Sequence, residues 1–99
     1  MNHMGLRSWL IIRILRRASK QIHAMGDAPC AGSFDTCRDL GNYLETCAAE
    51  WQMGDRDSLE RLWIIFAPTS DWDDARGSQP IGNLAFAVLD QLRRSRSIQ

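Results

Sequence analysis

The sequence predicts an all-α fold: four helices, arranged as a compact bundle or as two stacked helical hairpins. Three observations predict it. Apolar residues recur at three- and four-residue steps in four separate segments. Breaker-rich stretches containing Gly, Pro and Asp divide those segments. The chain has 99 residues, 44% apolar and 24% charged, which suits one globular domain spanning residues 1–99.

The first helix is expected over about residues 5–23. Ile11, Ile14, Leu15, Ala18 and Ile22 form one apolar face, and Leu10 extends it. Arg13, Arg16, Arg17 and Lys20 gather on the opposite side. Trp9 projects among these cations, where it stacks beneath an arginine or serves a contact surface. Residues 25–32 form a linker, broken by Gly26, Asp27, Pro29 and Gly32. The second helix is expected over about 35–53, with Ser33 or Asp35 as its N-cap. Its stripe is Cys37, Leu40, Leu44, Cys47, Ala48 and Trp51. Gly41 beside that stripe costs roughly 1 kcal/mol relative to alanine, and it lets a neighbouring helix come close. Gly54 closes the helix in the left-handed cap position.

Asp57-Ser58-Leu59-Glu60 resembles a capping box with aspartate in place of serine, so the third helix is expected over 57–66. Leu59, Leu62, Trp63 and Phe66 make its inner face. Ile64 and Ile65 widen the apolar arc, which marks the last turn as buried or as an interface. Pro68 stops the helix. Residues 67–79 form a long acidic loop with room for one helical turn, Ser70 capping it and Asp71, Asp73 and Asp74 suiting its positive end. The fourth helix is expected over about 80–94, with Pro80 in its first turn. Ile81, Leu84, Ala85, Val88, Leu89 and Leu92 form its core face, and residues 95–99 fray. Leu40-Gly41-Asn42 and Ile81-Gly82-Asn83 echo each other 41 residues apart, within the repeat length of helical solenoids. With only two copies present, two amphipathic helices that each need a small residue at a crossing are the favoured explanation of the echo.

The formal net charge is zero, so no global field drives the chain onto nucleic acid or an anionic membrane. The zero conceals a division. Residues 1–26 hold five cations and no acid, residues 27–76 hold eleven acids against four arginines, and residues 77–99 hold one acid against three arginines. Either the basic ends pack near the acidic middle and neutralise it, or the acidic block faces a basic partner. No apolar run approaches the roughly 20 residues of a membrane span. The arginine-rich start also meets the compositional description of a mitochondrial transit peptide, but a packed amphipathic helix accounts for the same residues. Cys30, Cys37 and Cys47 are odd in number and lack a C-x-x-C pair, which argues for free thiols in a reducing cytoplasm and against a disulfide framework or zinc site.

No catalytic residue, metal or cofactor is expected. Only His3 and His23 are available as physiological acid–base groups, and Cys30 has no motif that would make it a nucleophile. Read as an EF-hand, the segment from Asp71 fails at Ala75, Arg76 and Gly82. Phosphate-binding, dinucleotide-binding, hydrolase-elbow and zinc-protease signatures are missing. What stands out is an acidic, aromatic middle. Trp51 and Trp63 lie on core stripes, whereas Trp72 sits among Asp71, Asp73 and Asp74, with Asp55, Asp57 and Glu60 as further acids. The expected function is a non-enzymatic protein-binding module. Its most concrete form is a small bacterial immunity- or antitoxin-type protein that neutralises a basic toxin, such as a nuclease, with Trp72 as anchor. The alternative is a nucleic-acid-binding regulator that uses Arg13, Arg16, Arg17, Lys20, Arg93 and Arg94. Arginine, which makes up eleven of the twelve cations, suits phosphate contacts.

Overall fold

Among the described residues, five helices follow one another: α1 (Leu6–His23), α2 (Cys37–Gln52), α3 (Asp57–Phe66), α4 (Asp71–Asp74) and α5 (Gln79–Ile98). The structure, a computed structural model, describes residues 6–30, 33–68 and 70–98, with Leu6 and residues 96–98 described by backbone alone. Its long dimension is 40 Å and its cross-section 25 × 21 Å. α1 packs on α2 and α5, and α3 packs on the same two helices from the far side. The diagonal pairs, α1 with α3 and α2 with α5, make no close backbone approach. Four helices thus form a ring in chain order, an up-and-down bundle in which each helix packs beside its neighbours in sequence. Of the two expected arrangements, the compact bundle is the one adopted. α4 closes one end by packing on α3 and α5.

The helix ends differ from expectation where backbone pairing intervenes. α2 begins at Cys37, and its N-cap is Thr36, whose hydroxyl accepts the Asp39 N–H at 3.2 Å. Neither Ser33 nor Asp35 serves. Pro29 and Thr36 form an isolated antiparallel bridge. Cys30 N–H donates to the Asp35 carbonyl at 3.2 Å and Cys37 N–H to that of Ala28 at 3.0 Å, so Asp35 is paired to the linker ahead of the helix. α3 begins as expected, but Asp57 is its first residue and not its cap. Asp55 does that work: its carboxylate accepts the Asp57 N–H at 3.0 Å, and its carbonyl accepts the Ser58 hydroxyl at 2.6 Å. The acidic loop contains the single turn α4, and α5 starts at Gln79 and runs to Ile98, without the expected fraying after residue 94. Gly54, at φ +95°, reverses the chain after α2 in a conformation open to glycine without steric cost.

The core draws Ile11, Leu15, Ala18 and Ile22 from α1, Leu40, Leu44 and Cys47 from α2, Leu59, Leu62 and Ile65 from α3, and Ala85 and Leu89 from α5. Each fully buried leucine or isoleucine contributes about 1.5–3 kcal/mol relative to exposure. The predicted stripes therefore supply most of the core, with Leu10, Trp51, Trp63, Ile81 and Leu92 only partly buried. Ile12 and Ser19 are buried on the side of α1 that meets α2, and Leu84 is 51% exposed.

The two Gly-Asn segments share a physical cause. A Cβ on Gly41 would lie 2.5 Å from Cδ2 of His23, and one on Gly82 would lie 2.6 Å from Cδ1 of Trp72. Each glycine leaves room for a ring from another element.

Candidate functional site

The acidic, aromatic middle does not assemble into one surface. Trp72, expected as an exposed anchor, is 1% exposed. Its ring stacks at a tilt on Phe66, with centroids 5.1 Å apart, and its indole N–H donates to the Ser78 carbonyl at 2.9 Å. The reason is local. Ser70 starts a helical turn, Asp71, Asp73 and Asp74 face its outside, and the one large apolar side chain turns inward to seal the end of the bundle. A buried tryptophan with its N–H satisfied is a core residue. The aspartates around it had suggested a surface position.

The acids themselves are divided between the two ends of the bundle. Asp55, Asp57 and Glu60 lie at the start of α3, while Asp71, Asp73 and Asp74 follow its end, separated by the helix length of roughly 15 Å. Most have internal partners. Arg61 contacts Glu50 at 2.8 Å and Asp55 at 3.3 Å, and Arg93 contacts Glu60 at 2.8 Å. Asp71 accepts the Ser33 N–H at 2.7 Å, and Asp73 accepts from the Gln79 amide at 3.0 Å. Asp57 and Asp74 are exposed. The hydrogen bond to Glu50 raises the affinity of Arg61 for its proton, so it keeps its charge at this junction.

The expected basic set is divided as well. Arg93 lies over the Trp63 ring, 4.4 Å from its centroid, and Arg94 pairs with Asp90 at 2.9 Å. Trp63 in turn donates to Asp90 at 3.3 Å. Arg93 braces α5 against α3, Arg94 pairs within α5, and neither joins the first helix. Arg13, Arg16, Arg17 and Lys20 behave otherwise. All four are exposed on the outer side of α1. Among the described residues, neither they nor Arg7 form an ion pair. Trp9, 48% exposed, carries the Arg13 guanidinium 5.0 Å from its ring centroid, a contact that orients the cation.

Beside this face lies an open groove of about 590 Å³ between α1 and α5, lined by Leu10, Ile14, Leu84 and the four cations. Compared with known protein families, with curated proteins and with solved structures, the chain matches none. Its function has to be read from its own surface. Leu84 was placed among core residues by its spacing. At about 100° per residue it sits at the edge of the α5 stripe, and that edge position was the one signal of its exposure.

A second cluster joins α1 to α2. His23 meets Glu45 through Nδ1 at 3.1 Å and Asn42 through Nε2 at 2.9 Å. The Ser19 hydroxyl donates to Glu45 at 2.8 Å, with the Gly41 carbonyl at 3.2 Å. Serine, histidine and carboxylate converge, but not with the connections of a nucleophile. In a hydrolytic triad the imidazole bridges the hydroxyl and the acid through its two nitrogens. Here the Ser19 hydroxyl donates directly to Glu45, the same His23 nitrogen, Nδ1, lies 3.4 Å from the hydroxyl and 3.1 Å from the acid, and Nε2 faces Asn42. Ser19 is 2% exposed. The cluster secures the approach of α1 to α2 over Gly41. Among the described residues, no group of three His, Cys, Asp or Glu side chains is placed to hold a metal ion, and no helix is long and apolar enough to cross a membrane.

Proposed function

We propose that this protein is a non-enzymatic binding module whose contact surface is the cationic outer face of α1, and that it binds an acidic protein partner. One observation carries the reading. The chain's acids are largely engaged by its own groups, whereas Arg13, Arg16, Arg17 and Lys20 of α1 stand exposed and form no ion pair among the described residues. Charges left unpaired on one face attract and orient a partner of opposite sign. The adjoining apolar groove supports a protein in preference to nucleic acid, since Leu10 and Leu84 need an apolar neighbour to leave water. The three buried, free thiols support a reducing, cytoplasmic setting.

Neutralisation of a basic toxin by a bacterial immunity- or antitoxin-type protein ranks lower. It would rely on Asp57 and Asp74, exposed at opposite ends of the bundle, without Trp72 as anchor. The test is retention on immobilised heparin at low salt, a polyanion that reports the charge of this face. The wild-type chain is retained despite its zero net charge, and Arg13→Glu with Arg17→Glu removes retention. Equal elution of the two proteins rules out α1 as the contact surface.

A further inference from the structure

Building on the binding function above, we propose that the groove between α1 and α5 seats an acidic amphipathic helix of a partner protein. Its floor is aliphatic. Ile14 is buried, Leu10 half-buried and Leu84 51% exposed, so a leucine-sized side chain entering the groove covers Leu84, which the fold leaves half in water. Its wall on α1 is cationic. Arg13 and Arg17 are one helical turn apart, as are Arg16 and Lys20, giving two rows of positive charge along the helix axis. A helix presents its own side chains at the same four-residue pitch of about 6 Å. A partner helix with carboxylates at successive i, i+4 positions meets these rows in register, and its apolar stripe faces Leu10 and Leu84.

The α5 side adds no opposing charge. Leu84, Ala87, Gln91 and Ser95 are exposed at three- and four-residue steps, and none is ionisable. The face therefore has one sign throughout and an apolar centre, the pattern of helix-in-groove recognition. A phosphate backbone would satisfy the arginines but would lay a hydrated, charged strand against Leu84. Trp9 carries the Arg13 guanidinium 5.0 Å from its ring centroid, a contact that orients one of the cations lining the groove.

The experiment uses three fluorescent probes titrated against the full chain at low salt, read by anisotropy. The first is a peptide of about 18 residues with glutamates and leucines on adjoining faces of one helix. The second has the same composition in scrambled order, without an apolar stripe. The third is a short DNA duplex. The expected result is binding of the patterned peptide at least about tenfold tighter than either other probe. Leu84→Glu, at a half-exposed position, removes that preference, and the milder Leu84→Ser weakens it, with circular dichroism confirming that both variants remain helical. Arg13→Glu with Arg17→Glu removes binding altogether. If the scrambled peptide or the duplex binds as tightly as the patterned peptide, the helix-in-groove proposal is overturned while a cationic binding face stands. If none of the three binds, the binding function falls with it.

Discussion

The indole of Trp72 occupies the space that a side chain on Gly82 would need, with only 2.6 Å between its Cδ1 and the position of that missing Cβ. Gly77 borders the opposite edge of the ring, where a Cβ would come within 2.1 Å of Cε2. The ring is rigid, 1% exposed and tied by its N–H to Ser78, so it has no direction in which to retreat.

Gly82→Ala sets two effects against each other. Replacing a helical glycine by alanine gains about 1 kcal/mol, whereas forcing atoms into a packed core costs about 1–3 kcal/mol. With backbone on one side and indole on the other, overpacking wins. The expected outcome is a net loss of up to about 2 kcal/mol in urea unfolding. An unchanged or raised midpoint would show that Trp72 is not locked.

Gly41→Ala should behave differently, although its missing Cβ is as close to a ring. His23 lies at the end of α1 with its side chain 30% exposed, so the imidazole can swing toward solvent. The expected cost is small, since the alanine gain of about 1 kcal/mol offsets loss of the contacts to Asn42 and Glu45. In a His23→Ala background the same substitution becomes stabilising. A double-mutant cycle measures this, and additive effects would contradict a direct conflict between the two positions.

Arg93 links α5 to α3 by stacking on Trp63 and by reaching Glu60. Both contacts are partly exposed, so neither is large. Arg93→Ala should lower stability by about 1 kcal/mol, from a cation–π contribution of roughly 0.5–1 and a surface pair of 0–1. Lysine at this position should restore less than half, because an ammonium cannot stack flat on the indole while bridging a carboxylate. Thermal melts of the three proteins would separate these cases.

Burial is the main force raising the Cys47 thiol above its ordinary value, and it raises the neighbouring Tyr43 hydroxyl in the same direction. A raised pKa means that the folded chain holds the proton more tightly than the unfolded chain. The resulting stability is present below the ordinary thiol value of 9.0 and is lost as pH climbs through the higher folded value. Stability should therefore decline from about pH 9 upward, first through Cys47 and then through Tyr43. Cys47→Ala should be less stable at neutral pH, for loss of packing, yet flatter across the first alkaline step. Identical pH slopes in variant and parent would contradict this assignment.

Arg76 adopts φ +60° on the exposed turn after α4, a left-handed conformation that costs an L-residue roughly 1–2 kcal/mol. Arg76→Gly relieves it at some cost in unfolded-chain entropy, so a gain of up to about 1 kcal/mol is expected. A lowered melting temperature would count against strain at this turn.

The sequence by itself determined the helices and most of the core, because apolar periodicity and helix-breaking residues act over a few residues and need no knowledge of neighbours. The stripes of α1, α2 and α3 lie in the interior as their spacing implied, and Gly41 sits at a close approach. Other features depended on contacts between residues far apart in the chain. Thr36 caps α2 because Pro29 pairs with it across the linker. Leu84 stays half exposed because it lines the open groove beside α1. Trp72 illustrates the difference most clearly. Its neighbours in sequence are aspartates, which read as surface, but its neighbours in space are Phe66, Gly77 and Gly82, and only the packed bundle brings them together. Charge followed the same division. The alternation of basic and acidic blocks was legible in the sequence, whereas which carboxylates would find arginines, and which cations would be left facing outward, was decided by the order of helices around the ring.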